Sequence, residues 1–362
     1  MRVAVGIDVA KTAHWVTAID DAGTVLIDRS VANEPNAIEE VIADLRSLEG
    51  EVTIGLDVVG GIAGLAEAML AAARFRLVHV PGLAVNRARQ GTTGGEAKSD
   101  PRDARVIADQ VRTRHDLRPV ETGTEVNLEL RLLVGRRRDL VDEQTRRLGR
   151  LHGLPVSIYP GLDRVLDLTT KGSLWLLTRY VTPAEIRRAG RGRLVSYLKR
   201  TGGLPSVAQL ADAALASAQA RRIAVPGERM AATIVRELAA EALAARKRLA
   251  ELNRALEARL TRHPDAALIR SLPGMGAVLT AEFIAVAGTI RRFAAADALA
   301  AAAGLAPVLR QSGKVRFLRR PTGGNKELKR ILYQAAFCSL HSPTAGPSTR
   351  ASGARASVTI RL

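Results

Sequence analysis

Four aspartates stand where strands and a helix would bring acidic side chains together. Asp8 and Asp57 each end a short apolar segment, and Asp100 and Asp103 lie three residues apart. A helix over the last two would place both on one face. Carboxylate oxygens are the ligands that Mg²⁺ and Mn²⁺ prefer, and these ions usually serve phosphate chemistry. We therefore predict that the four aspartates form a Mg²⁺ (or Mn²⁺) site.

The first 120 residues alternate between strand and helix patterns. The sequence 20–23 has the composition of a hairpin turn between two strands. In total, the pattern predicts strands at 3–9, 15–19, 24–30, 52–58 and 75–80, and helices at 35–48, 62–73 and 101–112. The resulting order, βββαβαβα, is typical of an α/β ribonuclease-H-like domain, in which helices flank a hairpin-extended sheet.

In that layout the four acids converge. Asp8 would lie on the central strand, Asp57 at the end of the neighbouring strand, and the last helix would bring Asp100 and Asp103 across. Two metal ions held in this way can stabilise both the attacking and the leaving oxygen of a phosphodiester. A single aspartate at a strand end is more often a cap or turn residue. The set of four, in this order of elements, favours a catalytic site for nucleic acid.

The charge of the chain also favours a nucleic-acid partner. Its 362 residues carry a formal net charge of +18, and the pI is about 11.1. This balance favours a polyanion through counterion release, although a GC-rich genome also raises the arginine content. Cys338 is the only cysteine, so no intrachain disulfide can form, and we expect a cytoplasmic protein. Charged residues interrupt the alanine-rich segments before ~20 apolar residues accumulate, so we expect no membrane span.

Residues 121–262 are predicted to form a long helical, coiled-coil-like region. Leucines recur at helical spacing in 126–151 and 228–260. These two segments could pair with each other or across a subunit boundary. The arginine run 136–138 is denser than a solvated helix face requires, so we expect it to contact nucleic acid. The intervening segment 159–205 is rich in Gly and Arg and is predicted to be more variable in structure.

The C-terminal segment 263–343 is predicted to be mainly α-helical. Its sequence Leu-Pro-Gly-Met-Gly at 272–276 precedes an apolar helix at 277–286 and is typical of a helix-hairpin-helix turn. In such a turn Gly274 and Gly276 would let backbone N–H groups approach a DNA phosphate. A plain turn between two helices is equally consistent with this sequence.

A serine in this segment stands among cations. The cations after Ser312 that we predict to contact DNA are Lys314, Arg316, Arg319, Arg320 and Lys326. Such cations can stabilise a pentacovalent phosphate and an alkoxide, so a serine in a loop among them could attack a phosphodiester. On composition alone, however, a serine before glycine is usually a turn residue.

Together these segments resemble a family of insertion-sequence transposases. That family pairs a RuvC-like Asp-Glu-Asp-Asp (DEDD) domain with a serine-bearing C-terminal domain, and members are also known as bridge-RNA-guided serine recombinases. The resemblance extends over nearly the whole of residues 2–343. The matching segments are 6–11, 98–104, 272–276, 304–307, 311–313 and 323–326.

The resemblance implies roles for the residues singled out above. Asp8, Asp57, Asp100 and Asp103 would hold Mg²⁺, and Ser312 would be the nucleophile that forms a covalent phosphoserine link to DNA. The family also implies a homo-oligomer, a dimer or tetramer, whose active sites combine the acidic domain of one subunit with the serine domain of another. An element-encoded guide RNA would select the element ends and the target DNA.

The chain departs from the family pattern at two places. The second acid is usually glutamate, whereas Asp57 is one methylene shorter, so its carboxylate sits further back. The segment 344–362 also loses the helical pattern where family members continue with a basic helix. Back-translation from Gly346 with GC-rich codons, read one base out of phase, can give AFYARKRREGKRHHP, which resembles that helix. We therefore predict that a frameshift makes the residues from about Ala345 non-native and disordered.

Two other functions stay open on the sequence alone. An actin-like or sugar-kinase-like phosphotransferase can also begin with Gly-x-Asp before a hairpin. That fold needs a glycine-rich phosphate loop and an adenosine-binding motif, and neither is convincing in the second half of the chain. A catalytically impaired DNA- or RNA-binding protein is favoured if Asp57 or the altered tail has disabled the chemistry. Metal-dependent strand cleavage would separate a transposase from a binding protein.

Overall fold

The computed structural model describes residues 1–91, 97–120, 124–200, 207–221 and 223–340. The chain divides into two compact units, Met1–Thr122 and Gly123–Leu362. The segment predicted to be a frameshifted tail, 344–362, lies outside the described residues. Among the helices that are described, none is both long and apolar enough to cross a lipid bilayer.

The N-terminal unit is built on a six-stranded mixed sheet. Its strands are β1 (Arg2–Asp8), β2 (Ala13–Ile19), β3 (Val25–Ala32), β4 (Glu51–Leu56), β5 (Arg76–His79) and β6 (Arg118–Pro119). They lie in the order β3-β2-β1-β4-β5-β6. Strand β1 pairs antiparallel with β2 and parallel with β4, so a hairpin extends one side of the central strand and parallel strands extend the other. This topology confirms the predicted ribonuclease-H-like fold.

Helices cover both faces of this sheet. They are α1 (Pro35–Ser47), α2 (Gly64–Ala72), α3 (Gly82–Gln90) and α4 (Asp100–Thr113). On one face, α1 and α2 bury an apolar stripe that includes Ile38, Leu45 and Leu70 against β1 and β4. On the other face α4 crosses β1. The short α3 and β6 were not predicted. Helix α3 buries only Val85 and Arg89, so its sequence shows no repeating apolar pattern, and β6 has only 2 residues.

The C-terminal unit is mainly helical. Its elements are α5 (Glu125–Ile158), α6 (Pro160–Asp163), α7 (Lys171–Leu177), α8 (Pro183–Lys199), α9 (Val207–Gln219), α10 (Glu228–Leu260), α11 (Ala266–Arg270), α12 (Ala277–Ala287), α13 (Ala296–Ala302), β7 (Val308–Ser312), β8 (Val315–Arg319) and α14 (Lys326–Ser339). A mainly α-helical middle and C-terminal region is what the sequence predicted.

The two long helices, α5 and α10, pair antiparallel within the chain. The Arg137 Nε donates to Asn253 Oδ1 at 2.9 Å, and further along α5 the Gln144 amide donates to the carbonyl of Ala242 at 3.4 Å. The pair contributes to two separate apolar cores. One core contains Leu151 of α5, and the other contains Leu130, near the start of the same helix.

The segment that was predicted to be variable, 159–205, is helical over much of its described part, up to residue 200. Helices α6, α7 and α8 bury leucines in the core that also contains Leu151. Thr182 and Glu185 start α8 with a reciprocal capping box. The high Gly and Arg content obscured these buried leucines in the sequence, among which are Leu162, Leu174 and Leu198.

Candidate active site

The close approach of α4 to β1 positions the acids. A Cβ atom at Gly6 would lie 2.0 Å from the carbonyl oxygen of Ala104 and 2.4 Å from the nitrogen of Ala108. Only glycine therefore lets the helix backbone pack directly on the central strand. Helix α4 begins at Asp100, so Asp100 and Asp103 lie in its first turn. The helix crosses β1, the strand that ends in Asp8.

Asp8 carries the strongest sign that the acids lie near one another. Burial raises the pKa of the Asp8 carboxyl to about 6, and the negative charges of Asp57, Asp103 and Asp100 add to the effect. Lys98 opposes this shift. The three other predicted acids therefore act on the carboxyl at the end of β1, as expected for acids that share one end of the sheet.

Asp57 follows β4 and contacts the segment after β1. The backbone N–H of Val9 donates to Asp57 Oδ1 at 3.3 Å. Burial raises the pKa of the Asp57 carboxyl, and the charge of Asp103 adds to this, while hydrogen bonds from the backbone of Val9, Asp57 and Val58 oppose it. The carboxylate thus bridges the ends of two adjacent parallel strands, where the sequence predicted it.

Asp103 is already paired with a cation that the sequence analysis missed. Its two oxygens accept hydrogen bonds from Arg89 Nη1 at 3.0 and 3.1 Å, and both side chains are buried. The Arg89 Nη2 also donates to Asn86 Oδ1 at 2.7 Å. In the sequence, only the i, i+3 spacing of Asn86 and Arg89 could have indicated that the two side chains interact. That spacing is informative only when the segment is known to be helical, and α3 was not predicted.

Asp100 starts α4 and is exposed to solvent. Within the described part of the chain, no group of three or more His, Cys, Asp or Glu side chains is close enough to hold a metal ion. The structure therefore brings the four acids within electrostatic range of Asp8 but does not show them as a formed coordination shell. Their role as metal ligands stays a prediction.

Ser312 lies at the end of a β-ribbon rather than in a loop. It closes β7 and pairs with Val315 across a two-residue turn, Gly313 and Lys314. Gly313 has φ +55°, a conformation that favours glycine, which explains the Ser-Gly sequence as a turn requirement. Every residue of both strands is exposed, so the Ser312 side chain is accessible to a partner.

The ribbon places Ser312 beside cations. Alternation along the paired strands puts Arg310, Ser312 and Arg319 on one face, together with Phe317. The five predicted DNA-contacting cations near Ser312 are exposed, and none pairs with a carboxylate among the described residues. Those residues are Lys314, Arg316, Arg319, Arg320 and Lys326.

The two glycines of the Leu-Pro-Gly-Met-Gly turn differ in their surroundings. Gly274 has φ +79°, and a Cβ there would lie 2.0 Å from the carbonyl oxygen of Ala335 in α14. Packing against α14 is thus sufficient reason for glycine at this position. Gly276 precedes α12, its N–H donates to the Gly274 carbonyl at 3.2 Å, and a Cβ would meet open space. Their contact with DNA stays a prediction.

The arginine run 136–138 is largely occupied inside the C-terminal unit. Arg138 forms a two-pronged ion pair with Glu327, at 2.6 and 2.5 Å. Arg137 donates to Asn253 and lies 3.9 Å from Glu282. Two of the three guanidinium groups thus stabilise contacts of α5 with other helices. Contact of the run with nucleic acid stays a prediction.

Comparison with known families identifies both parts of the chain. A DEDD model of IS110-type elements, described as a transposase, matches residues 5–160. A second model, described as the transposase IS116/IS110/IS902 family, matches residues 266–351. The first match contains Asp8, Asp57, Asp100 and Asp103, and the second contains Ser312.

Individual relatives cover almost the whole chain. The insertion element IS900 uncharacterized 42 kDa protein of Mycobacterium paratuberculosis is 39% identical over 350 residues, which are 95% of this chain and 86% of that protein. The insertion element IS116 uncharacterized 44.8 kDa protein of Streptomyces clavuligerus is 38% identical over 349 residues, 96% of this chain and 86% of that protein. Among solved structures, RuvC of T. thermophilus in complex with a Holliday junction substrate matches 33% of this chain and 100% of its own, at 16% identity and a TM-score of 0.26. The family matches and the two relatives confirm the resemblance to insertion-sequence transposases: the chain belongs to the IS116/IS110/IS902 family of transposases.

Proposed function

We propose that this transposase cleaves and rejoins DNA at the ends of an insertion element and at its target. Two groups of residues would carry out this chemistry. They are the four aspartates of the N-terminal unit and Ser312 of the C-terminal unit. The observation that carries the proposal is the electrostatic coupling at the end of β1, where burial and three neighbouring carboxylates raise the pKa of Asp8 to about 6. The ionised form of Asp8 is therefore disfavoured in the folded chain, and a cation bound beside it would relieve this cost.

The donor set fits a divalent cation of the Mg²⁺ or Mn²⁺ type. All four side chains offer carboxylate oxygens, which are hard ligands. Asp8, Asp57 and Asp100 would hold the ion, and Asp103 would join them while Arg89 orients its carboxylate. When bound, the ion supplies positive charge opposite the phosphate oxygens. Asp57 reaches less far than the usual glutamate, so the Val9 N–H that fixes its Oδ1 matters for its direction.

Ser312 would act as the nucleophile. Its Oγ attacks a DNA phosphorus atom and loses its proton, while the bond from that phosphorus to one deoxyribose oxygen breaks and this oxygen leaves as a hydroxyl. The product is a phosphoserine ester, which a second DNA hydroxyl can later resolve by the reverse step. Arg310 and Arg319 on the same face of the ribbon would stabilise the charge on the phosphate oxygens.

The exposed ribbon supports an assembly of several subunits. Phe317 is 54% exposed and Leu318 69% exposed. An isolated two-stranded ribbon is marginally stable, and exposed apolar side chains of this size usually mark a surface that a partner covers. We propose a dimer or tetramer whose active sites combine two subunits, with an element-encoded guide RNA as a further partner. Sedimentation of the chain with and without element-end DNA and RNA tests this assembly; a monomer in every mixture would contradict it.

Strand cleavage of element-end DNA in Mg²⁺ tests the acidic centre. Asp8→Asn and Asp103→Asn should abolish cleavage and leave DNA binding near the wild-type level, because each removes a carboxylate without removing a phosphate contact. Glu40→Gln, on the exposed face of α1, serves as the charge-matched control and should cleave normally. Retained cleavage in both aspartate variants would remove the metal-site assignment and leave a hydrolytic role without support.

Covalent trapping tests the serine centre. Wild-type protein incubated with element-end DNA, Mg²⁺ and the flanking element RNA should give a protein–DNA adduct that survives denaturation. Ser312→Ala should lose it, and Ser271→Ala, an exposed serine of the same unit, should keep it. The same assay on a version with the reading frame of the tail restored shows whether the tail limits activity. No adduct in either version would favour a nuclease or a binding protein, and Ser312 would then be only a turn residue.

A further inference from the structure

Aromatic side chains are scarce in this chain, yet three of them gather in one patch of the C-terminal unit. The sequence contains 2 Trp, 4 Tyr and 5 Phe. Trp175 and Tyr197 stack with ring centroids 5.7 Å apart, and Tyr180 meets Tyr197 edge-on at 5.4 Å. The Arg179 guanidinium lies over both tyrosine rings, 5.6 Å from the centroid of Tyr180 and 5.5 Å from that of Tyr197. We call this group, Trp175, Arg179, Tyr180 and Tyr197, the aromatic platform.

The platform packs against the apolar core and is partly exposed. Trp175 and Tyr180 pack against the core that contains Leu174 and Leu177, and both residues remain half-buried. A hydrogen bond of 2.8 Å joins the Tyr197 hydroxyl to the Thr178 hydroxyl and orients the ring. The rings are therefore held in place before any ligand arrives, which reduces the entropy lost on binding.

Arg179 is the feature that core packing does not explain. Its side chain is exposed, it lies over two rings, and it pairs with no carboxylate among the described residues. On α8, by contrast, Arg191 pairs with Asp212 at 2.6 Å. A planar cation on aromatic rings, without an acidic partner, presents a flat, positively charged surface to solvent.

More unpaired cations flank the platform along α8. Arg193 and Arg200 stand four residues before and three residues after Tyr197, so they lie on the same side of the helix. Both are exposed, and neither is paired with a carboxylate in the described part of the unit. The aromatic platform thus has a guanidinium group on each side along the helix axis, at about 4.5–6 Å of axial rise from Tyr197.

We propose that the aromatic platform binds an unpaired nucleobase, with Arg193 and Arg200 contacting the phosphates on either side of it. Every base offers a flat π face, and bases of single strands stack on tyrosine rings and on arginine planes. A base within a duplex has no free face, and a simple anion such as inorganic phosphate would make no use of the rings. The arrangement therefore selects single-stranded nucleic acid, whether RNA or DNA.

This inference goes beyond the cleavage chemistry proposed above and does not depend on it. Binding to the platform requires neither the aspartates nor Ser312, so it is measured in EDTA, where cleavage cannot occur. Failure of the catalytic proposal would leave the binding result unchanged, and the reverse is also true.

Affinity for labelled ten-nucleotide strands, measured by fluorescence anisotropy with the full chain, tests the site. The key quantity is the ratio of affinities for a uridine strand and for an abasic strand of equal length, because general phosphate attraction cancels in it. The wild-type chain should favour the base-containing strand by about tenfold, the effect of one stacked base. Arg179→Lys, which keeps the charge but loses the plane, and Tyr197→Leu should bring the ratio close to one. Tyr197→Phe should keep it, and Arg254→Lys on exposed α10 is the matched control.

Crosslinking locates the base directly. A strand carrying 5-iodouracil, irradiated on the protein and mapped by mass spectrometry, should join to Tyr180 or Tyr197. RNA and DNA strands run in parallel identify which of the two supplies the base. An unchanged affinity ratio in both Arg179→Lys and Tyr197→Leu, or crosslinks only at other aromatic residues, would overturn the proposal.

Discussion

Replacing Asp8 with asparagine removes a charge from the acidic cluster while keeping the size of the side chain. The expected result is unusual, because the loss of a catalytic residue should stabilise the metal-free protein. The reason is the pKa of the Asp8 carboxyl, which burial and the charges of Asp57, Asp103 and Asp100 raise from 3.8 to about 6. The folded state therefore tolerates the ionised carboxylate less well than the unfolded chain does.

The size of the effect follows from the shift. A pKa raised from 3.8 to about 6 corresponds to roughly 3 kcal/mol of unfolding free energy. Asp8 is only partly buried, so solvent screening reduces this to about 1–2 kcal/mol. Below pH 3.8 the carboxyl is protonated in both states, and the full stability is present. As the pH rises through about 6, the wild-type chain loses this stability, whereas Asp8→Asn does not. The variant should thus be more stable at pH 8 and equal to the wild type at low pH.

Tryptophan fluorescence in urea can report on the N-terminal unit alone. The chain has 2 tryptophans, Trp15 in β2 and Trp175 in α7. In a Trp175→Phe background, Trp15 is the only tryptophan, and it lies directly opposite Asp8 on the paired strand. Unfolding free energies are compared between pH 4 and pH 8 in EDTA, with Glu40→Gln on exposed α1 as the control.

Two results would refute this reasoning. One is equal stability of wild type and Asp8→Asn at pH 8; the other is a difference that persists unchanged at low pH. Added Mg²⁺ gives an independent check, because an ion that binds only the folded state stabilises it by mass action. Mg²⁺ should therefore stabilise the wild type more than Asp8→Asn. The difference in unfolding free energy between the two should become smaller or change sign.

Three further predictions concern packing, a buried ion pair and DNA contact. Gly6→Ala would place a methyl group 2.0 Å from a carbonyl oxygen of α4, so urea unfolding should show a loss of about 3 kcal/mol. Arg89→Leu would leave the buried Asp103 carboxylate without its cation, and the same assay at pH 7 should show a loss of about 3–5 kcal/mol. Changing both Arg319 and Arg320 to glutamine should weaken DNA binding and reduce the slope of log affinity against log salt by about two.

Each of these predictions has a control in the same unit. Gly64→Ala meets no atom within 4 Å, and Arg87→Leu removes an exposed arginine of α3, so neither should lower stability by more than about 1 kcal/mol. Glutamine at Arg248 and Arg254, both exposed on α10, controls for the loss of two charges. A tolerated Gly6→Ala would contradict the close packing of α4 on β1. An Arg89→Leu chain as stable as the wild type would show that Asp103 does not need its partner, and an unchanged salt slope would place Arg319 and Arg320 away from the phosphates.

The sequence predicted those elements whose burial repeats with a regular period. Strands β1 and β4 are largely apolar because helices cover both faces of the sheet, and α10 has apolar residues at helical spacing because one of its faces packs against α5. Helix α3 escaped prediction because one of its two buried residues, Arg89, is charged. The charge of Arg89 is balanced by Asp103, which is 14 residues further along the chain.

Sequence patterns also reveal little where a distant residue is the partner of a side chain. The run 136–138 was expected to bind nucleic acid, and its sequence does not show that Arg138 pairs with Glu327, 189 residues away. Ser312 was expected in a loop, and the ribbon that contains it is exposed on both faces, so its strands show no alternation of burial that a pattern could detect. The positions of Asp8 and Asp57 were easier to predict, because strand order alone determines that the ends of parallel β1 and β4 lie together.

The pairing of α5 with α10 sets the distance between the two apolar cores of the C-terminal unit. The helices have 34 and 33 residues, which corresponds to about 50 Å. Leu130 belongs to the core under the C-terminal helices and Leu151 to the core beneath the aromatic platform, with about 30 Å of helix between them. Helical phase then restricts how this spacing can change. Seven residues added to both helices would lengthen the pair by about 10 Å and rotate one core relative to the other by only about 20°. Five added residues would rotate it by about 140°. Chains with this architecture should therefore differ in the length of this helix pair by steps that nearly complete whole turns, such as about seven, eleven or eighteen residues.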